Sequence, residues 1–238
     1  MSRPSPNFAS GLIDVFVAPA SVFGALPARR FWGWSAFALI AATTVLATFV
    51  FIGPMSPEWI VEQQILQIGS RMSDQELAQA RPQLLAMASH TAVISTIGGV
   101  LMSGLLIVLL GSVYMLLERV ATRGDVRHRW SQWLRLTTWA QLPQMLYAIG
   151  LIALALLAST PDQPLALMGY ASLNGLVLDL PPDHRWFNWA SNLGVFQVWS
   201  IVLAAVGFRV WTQVSWARAA GLAALPWILV FSIWALLA

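Results

Sequence analysis

Cysteine and lysine are both missing from this sequence, and charged residues of either sign are scarce. The absence of cysteine excludes disulfides, thiol catalysis and metal sites with cysteine ligands. Because lysine is absent, all 13 basic residues are arginines, and they stand against 10 acidic residues. Charged residues make up 10% of the 238 residues, compared with about 25% in soluble domains. So few charges cannot cover a soluble fold of this size, and we predict a polytopic membrane protein.

Long hydrophobic runs account for most of the chain, in which 58% of the residues are hydrophobic and the mean hydropathy is +0.69. A helix needs about 20 apolar residues to cross the hydrocarbon core of a bilayer. Five segments meet this requirement, and they predict an all-α protein with a single membrane domain over residues 1–238. The spans are expected at about residues 34–53, 91–117, 139–158, 192–211 and 219–237.

The distribution of arginine predicts the orientation of these spans. Ten arginines lie on the same side as the N-terminus, and only Arg71, Arg81 and Arg185 lie on the other side. Positively charged residues favour the cytoplasmic side. The N-terminus is therefore expected inside and the C-terminus outside, with outer loops over residues 54–90 and 159–191. The arginines are spread among short connections rather than clustered on one soluble face, so they do not indicate nucleic-acid binding.

Residues 8–30 form an amphipathic segment ahead of the first span. Apolar residues recur in it at helical spacing, and Phe8, Val15 and Phe23 are among them. This pattern predicts an interfacial amphipathic helix on the cytoplasmic leaflet. Pro19 is expected to break the helix into two pieces, because proline has no N–H to donate.

Short helices are also expected outside the spans. The first outer loop predicts two of them, and Ser73 with Glu76 three residues later has the spacing of a capping box at the start of the second. On the inside, residues 130–135 predict a surface helix that leads into the third span. Pro143 follows in the first turn of that span, where a missing N–H does least harm.

Residues able to bind a metal or to catalyse a reaction are few and dispersed. His90, His128 and His184 are isolated, and they are interpreted as solvated or interfacial because none has the spacing of a metal site. Ser172 lies in a loop without the spacing of a nucleophile elbow, and no His-Glu-x-x-His motif occurs. We therefore predict no metal, no cofactor and no enzyme activity.

The polar residues in or near the predicted spans are compatible with a transport path and with ordinary contacts between helices. Gln141, Gln144 and Gln197 lie in or near the spans, and Arg209 is within snorkelling reach of the cytoplasmic face. A small transporter or channel would use Gln197 and Arg209 to line a path from the cytoplasmic side. The same amide groups also serve as ordinary hydrogen-bond partners between helices.

A small-residue face runs along the second span. Ser95, Gly99 and Ser103 recur every four residues, so a neighbouring helix can approach closely there. The face is interpreted first as a contact inside this five-helix bundle, and it would also suit a contact with a partner membrane protein.

Three short stretches carry a resemblance to a known family. They are Asp14-Val-Phe-Val-Ala-Pro19 followed by Phe23, Ala140-Gln-Leu-Pro143, and Phe196-Gln-Val-Trp199-Ser200 followed by Ala205-Val-Gly207. In their residues and order they resemble the YIP family of Ypt/Rab-interacting membrane proteins, in its bacterial branch. The resemblance covers residues from about 8 to 235. It implies a multi-helix membrane protein without catalysis.

The expected function is that of a non-enzymatic bacterial inner-membrane protein, an accessory or organising partner of other membrane proteins or of transport machinery. The alternative is a small membrane transporter or channel. Expected partners are the lipid bilayer and other membrane proteins, transporter components included, or further copies of the chain, and not nucleic acid. The residues expected to contact a partner or to shape the bundle are Asp14, Pro19, Phe23, Pro143, Gln197, Trp199 and Arg209.

Docking is the expected mechanism. The segment from Asp14 to Phe23 and the arginine-rich turn from Arg119 to Arg135 are predicted to form one cytoplasmic face. Arginines on such a face favour anionic lipid headgroups. Asp14 either pairs with one of these arginines or is solvated.

Overall fold

The computed structural model describes residues 7–68 and 73–237, and within these ranges it contains helices, turns and loops without a β-strand. This confirms the predicted all-α class. Of the arginines used to predict the orientation, Arg3 and Arg71 lie outside the described residues. The α-helices of the described ranges are α1 (Phe8–Val17), α2 (Pro19–Ala25), α3 (Trp32–Phe51), α4 (Pro57–Ile68), α5 (Asp74–Ala88), α6 (Thr91–Ala121), α7 (Trp130–Ala140), α8 (Pro143–Leu157), α9 (Phe187–Asn192), α10 (Val195–Thr212) and α11 (Trp216–Leu237).

Five helical segments in the described part of the chain are long and apolar enough to cross a membrane, which is the predicted number. The third of them consists of α7 and α8, which are separated by a turn at Gln141 and Leu142. Pro143 is the first residue of α8, a position at which no helical hydrogen bond is lost. The five segments are Trp32–Phe51, Thr91–Ala121, Trp130–Leu157, Val195–Thr212 and Trp216–Leu237.

The described residues form two compact units, and each unit is considered by itself. Unit 1 contains the described residues up to 41 together with residues 102–145 and 196–233. Unit 2 contains the described residues of 42–101 and 146–195 and those that follow residue 233. Every residue predicted to contact a partner or to shape the bundle belongs to unit 1, so the candidate site is sought there.

An aromatic core fills unit 1. Its largest fully buried side chains are Trp133 and Trp139 of α7, Tyr114 of α6, Phe23 of α2 and Phe208 of α10. Large aromatic rings contribute much apolar contact area, and ring pairs at favourable angles add further stabilisation. The N-terminal helices are therefore part of this core and not a separate appendage.

The N-terminal segment forms two helices, as predicted. α1 ends at Val17 and α2 begins at Pro19, so the break at the proline is confirmed. Asn7 caps α1, because its side-chain oxygen accepts a hydrogen bond of 2.8 Å from the backbone N–H of Ser10. The buried face of α1 includes Val15, which lies in the core of unit 1. Contacts with other helices of unit 1 therefore cover much of the apolar face that was predicted for this segment.

The helix α7 begins at the surface and then enters the core of unit 1. A surface helix leading into the third span was predicted over residues 130–135, and the structure has a helix there in which Trp130 and Ser131 are exposed and Trp133 is fully buried. A glycine on α10 permits this position. A Cβ atom added at Gly207 would lie 2.8 Å from the side chain of Leu136, which is closer than carbon atoms can approach. The absence of a side chain at this glycine lets α10 lie against α7.

Unit 2 contains its own apolar core and several polar links. The helices α4 and α5 correspond to the two short helices predicted in the first outer loop. The predicted capping box between Ser73 and Glu76 is present at the start of α5 and is confirmed. In the loop after α8, the carboxylate of Asp162 accepts hydrogen bonds from the backbone N–H and the hydroxyl of Ser56, at 2.7 and 2.9 Å. These two bonds fix that loop at the start of α4.

Candidate docking surface

Three of the predicted residues lie on the N-terminal helices. Asp14 is half-buried on α1, Pro19 is the first residue of α2, and Phe23 of α2 is fully buried. The residue four places after Phe23 is Pro27, which has no N–H to donate to the carbonyl of Phe23. That carbonyl instead accepts a hydrogen bond of 2.8 Å from the indole Nε1 of Trp211 on α10. The pairing of Asp14 with an arginine stays a prediction.

Aromatic rings anchor the start of α1. Phe8 contacts Trp32 and Trp139 edge-on, with ring centroids 5.9 and 5.6 Å apart. The two tryptophans stack at 5.1 Å, and the Nε1 of Trp139 donates a hydrogen bond of 3.1 Å to the carbonyl of Trp32. Gly11 faces both rings, and a Cβ atom added there would lie 3.1 Å from each. Only a very small residue at this position lets α1 lie so close to α3 and α7.

The helix α10 supplies a further contact to α1 through a predicted residue. The ring of Trp199 lies 5.2 Å from that of Phe16, in an edge-to-face arrangement that the charge distribution of aromatic rings favours. Trp199 was predicted to shape the bundle. The structure places it against the second half of α1, so α10 holds the N-terminal helices both here and at Trp211.

A buried carboxylate organises the arginine-rich turn between α6 and α7. Glu118 of α6 is fully buried. Its carboxylate accepts hydrogen bonds from Nδ1 of His128 at 2.7 Å, from Nε1 of Trp133 at 2.9 Å and from the backbone N–H of Arg127 at 3.3 Å. With Glu118 taken as a carboxylate, which can only accept, the hydrogen is assigned to Nδ1 of His128. The three donors replace the water that the buried charge has lost.

This cluster was not predicted from the sequence, in which His128 was interpreted as solvated or interfacial. The structure shows that it is not solvated, because the His128 side chain is only 14% exposed and is bound to Glu118. The signal was an acid in the last turn of an apolar helix, followed by a histidine just before the next helix. Between them Gly124 has a φ of 98°, a left-handed conformation that glycine adopts most easily and that reverses the chain. Within the described ranges, no group of three histidine, aspartate or glutamate side chains is arranged to hold a metal ion.

Trp211 joins this turn to the N-terminal helices. The His128 ring stacks on the indole of Trp211 with centroids 4.3 Å apart and an angle of 14°. Trp133 contacts the same indole at 4.9 Å. The Nε1 atom of that indole donates to the carbonyl of Phe23. The N-terminal helices and the arginine-rich turn, which were predicted to form one face, therefore both contact the side chain of Trp211.

The helix α1 and the arginine-rich turn also have side chains that are exposed. On α1, Ile13 and Val17 are 67% and 73% exposed, and they lie four residues apart on one face. We use the term docking surface for this exposed face of α1 together with four exposed arginines in the last turn of α6 and in the connection from α6 to α7. These arginines are Arg119, Arg123, Arg127 and Arg129.

The three remaining predicted residues have surroundings of their own in unit 1. Pro143 is buried at the start of α8. Arg209 donates a hydrogen bond of 3.0 Å to the carbonyl of Val214, and its guanidinium lies 4.7 Å from the ring of Trp216. It thereby holds the connection between α10 and α11. The amide nitrogen of Gln197 is buried and has no hydrogen-bond partner among the described residues.

The stretches that carry the family resemblance lie in the same unit, at residues 14–23, 140–143 and 196–207. A family described as the Yip1 domain matches residues 13–237 of the sequence. The chain belongs to the Yip1 domain family. No curated protein and no solved structure matches it. Membership in this family, together with the five long apolar helices, shows that the chain is a multi-pass membrane protein.

Proposed function

We propose that this member of the Yip1 domain family is a non-enzymatic protein of the bacterial inner membrane. It acts as an accessory or organising partner of other membrane proteins or of transport machinery. The observation that supports this role best is the junction at Trp211, which links the N-terminal helices to the arginine-rich turn. A surface built from two elements binds more tightly when both are held in place beforehand, because less conformational entropy is lost on binding.

The composition of the docking surface suggests the chemistry of the partner. Ile13 and Val17 supply exposed apolar contacts, and the exposed arginines of the turn supply positive charge. A cytoplasmic segment of a second membrane protein with apolar and acidic residues is complementary to both. The arginines also favour the cytoplasmic side, which supports an orientation with the N-terminus inside and the C-terminus outside.

Affinity purification from native membranes into nanodiscs, followed by mass spectrometry, tests this proposal. We expect a stoichiometric membrane protein to accompany the full chain. Asp14→Ala should weaken its recovery without affecting membrane insertion, because the predicted pairing of Asp14 with an arginine of the turn would hold α1 in place for the partner. The double change Ile13→Ser with Val17→Ser should weaken recovery further, because it removes the apolar part of the docking surface.

Matched variants in unit 2 serve as controls for the same purification. Asp183→Ala removes an exposed acid from another loop, and Leu176→Ser with Val177→Ser removes two exposed apolar side chains. Recovery of the partner should not change in either control. Recovery that is equally unaffected by Asp14→Ala would contradict docking through α1.

A homo-oligomer without a second protein would favour the alternative, a small transporter or channel. The observation that supports this alternative is the buried amide nitrogen of Gln197, which has no partner among the described residues. A polar group in that position is available to a solute or an ion in a path through the helices. Flux measurements on the reconstituted chain and on Gln197→Leu would then decide between the two proposals.

A further inference from the structure

A groove of about 550 Å³ lies in unit 1 between α3, α6 and α7. Two arginines, Arg30 and Arg135, line it together with the rings of Trp34 and Trp130. Its remaining wall is mostly apolar and includes Phe37 and Ile107. A volume of this size falls in the range of about 300–1,000 Å³ that is typical of sites for small organic ligands.

The charge of the groove is of one sign. Arg30 and Arg135 are its only charged lining residues, and neither forms an ion pair with a described carboxylate. The Nε of Arg135 donates a hydrogen bond of 3.2 Å to the carbonyl of Ser131, which leaves the other N–H groups of the guanidinium for a ligand. Two guanidinium groups that share one groove repel each other unless an anion lies between them. A phosphate, which accepts several hydrogen bonds from arginine, is the anion best suited to this position.

A glycine on α3 determines the position of Arg135. A Cβ atom added at Gly33 would lie 2.6 Å from Cγ of Arg135, so only glycine lets this side chain cross α3 so closely. The side chain of Arg135 is half-buried as a result. The stem of a long cationic side chain can cover apolar surface in this way while its charged end stays near the polar zone.

The groove extends along the start of α3, which the predicted span places at the membrane interface. Arg30 lies two residues before the start of α3, and Trp34 in its first turn is 75% exposed, as expected for a tryptophan at the level of the headgroups. Trp130 is fixed by a hydrogen bond of 3.0 Å from its Nε1 to the hydroxyl of Ser112. Phe37 lies one turn further along α3 than Trp34, beyond the level of the arginines.

Gly104 of α6 lines the inner part of the groove together with Phe37 and Ile107. A Cβ atom added at Gly104 would lie 3.6 Å from the ring of Phe37, an ordinary contact distance, so a side chain larger than a methyl group would enter the groove. These apolar groups form a wall against which a chain of methylene groups can pack. Polar groups at one end and an apolar wall at the other match the structure of a phospholipid.

We propose that this groove binds one anionic glycerophospholipid. Its phosphate lies between Arg30 and Arg135, and the first part of an acyl chain lies against Phe37, Gly104 and Ile107. This inference does not depend on the proposed docking function, because the groove and the docking surface consist of different residues. A purified chain without any protein partner is sufficient to test it.

Native mass spectrometry of the full chain in a mild detergent, titrated with phosphatidylglycerol or with phosphatidylcholine, provides the test. We expect one phosphatidylglycerol molecule to be retained in preference to phosphatidylcholine. Arg30→Gln with Arg135→Gln should lower the apparent affinity by about 30-fold, since each arginine near an anionic headgroup contributes about fivefold. The matched control, Arg185→Gln with Arg218→Gln, changes two exposed arginines outside the groove and should leave the affinity within about twofold.

A second variant tests the acyl part of the site while both arginines remain. Gly104→Leu should fill the groove and abolish preferential retention. Gly98→Leu, on the same helix with nothing within 4 Å of an added Cβ atom, should have no effect. Inorganic phosphate at the same concentration as the lipid should not displace it.

Three outcomes would overturn the proposal. They are equal retention of the two lipids, unchanged retention in both groove variants, and displacement by inorganic phosphate, which would assign the site to a free anion. The Gly104→Leu result keeps the test decisive if the double arginine variant fails to fold. Because no partner protein is present, failure here leaves the docking proposal unaffected, and the reverse also holds.

Discussion

Glu118 shows how one residue can order a whole turn. Its carboxylate is fully buried, and a buried charge costs several kcal/mol unless donors surround it. All three donors come from the residues that follow α6, namely Arg127, His128 and Trp133. The conformation of the arginine-rich turn is therefore tied to the hydrogen bonds that a single side chain accepts.

Replacing this carboxylate should destabilise unit 1 strongly. Glu118→Ala leaves the Nδ1 of His128 and the Nε1 of Trp133 without an acceptor, and we expect a loss of about 3–5 kcal/mol in the free energy of unfolding. Denaturant titration in detergent micelles, followed by tryptophan fluorescence, measures this loss. The control is Asp125→Asn, which breaks the exposed ion pair with Arg127 and should cost less than about 1 kcal/mol. Equal effects of the two changes would refute the role given to Glu118.

The residues of the candidate site were only partly predictable from the sequence. Phe23 and Trp199 were predicted because they lie in the stretches that resemble the family. The carbonyl of Phe23 is the point at which Trp211 binds α2, and Trp199 contacts α1. Trp211 and Glu118 were not named. Their roles arise from contacts with residues far away in the chain, which neither periodicity nor spacing shows.

Among the helices, α5 has the N-terminus that local sequence predicts most directly. The backbone N–H of Ser73 donates a hydrogen bond of 2.8 Å to the carboxylate of Glu76, and the N–H of Glu76 donates one of 3.4 Å to the hydroxyl of Ser73. Residues only three apart suffice for this reciprocal pair, so local sequence predicts it. The helix α7 is the opposite case. Hydropathy does not distinguish lipid from protein as a neighbour, and α7 was therefore placed at the surface although its Trp133 contacts Phe208 and Trp211.

The capping box of α5 should respond to pH. Hydrogen bonds from the backbone N–H and the hydroxyl of Ser73 lower the pKa of Glu76 below its ordinary value of 4.5. Because this pKa is lower in the folded state than in the unfolded state, the carboxylate stabilises the helix start above pH 4.5. The contribution is lost as the pH falls through the lower, folded-state pKa.

A carboxyl-carbon NMR titration of Glu76 checks this prediction. The midpoint should lie below 4.5, and Ser73→Ala should raise it because both hydroxyl bonds are lost. Ser89→Ala, at the other end of α5, should leave the midpoint unchanged. A midpoint at or above 4.5 in the unmodified chain would mean that the capping box does not form in solution.

At the scale of the whole molecule, composition and hydropathy were sufficient to predict five apolar helices, because the length of a membrane span is fixed by the thickness of the bilayer. Composition and hydropathy do not determine the contacts inside unit 1. They depend on tryptophan rings and on close approach at Gly11 and Gly207, and the sequence alone does not show which helices these residues bring together. The orientation in the membrane stays a prediction from the distribution of arginine.

The absence of cysteine makes the orientation easy to test. A single cysteine introduced at Arg123 or at Asp183 is the only thiol in the chain, and both positions are exposed. A maleimide that cannot cross membranes should label Asp183→Cys in intact cells. It should label Arg123→Cys only after the membrane is opened. The reverse pattern would show that the N-terminus faces outward.

Photo-crosslinking in native membranes tests docking through α1 most directly. A benzophenone amino acid is placed at Ile13 in the full chain, and the control carries it at Val177, which is similarly exposed but belongs to unit 2. We expect a discrete adduct with a second membrane protein at Ile13 and no such adduct at Val177. If Ile13 gives no protein adduct, or the same adducts as Val177, the docking surface does not exist as described.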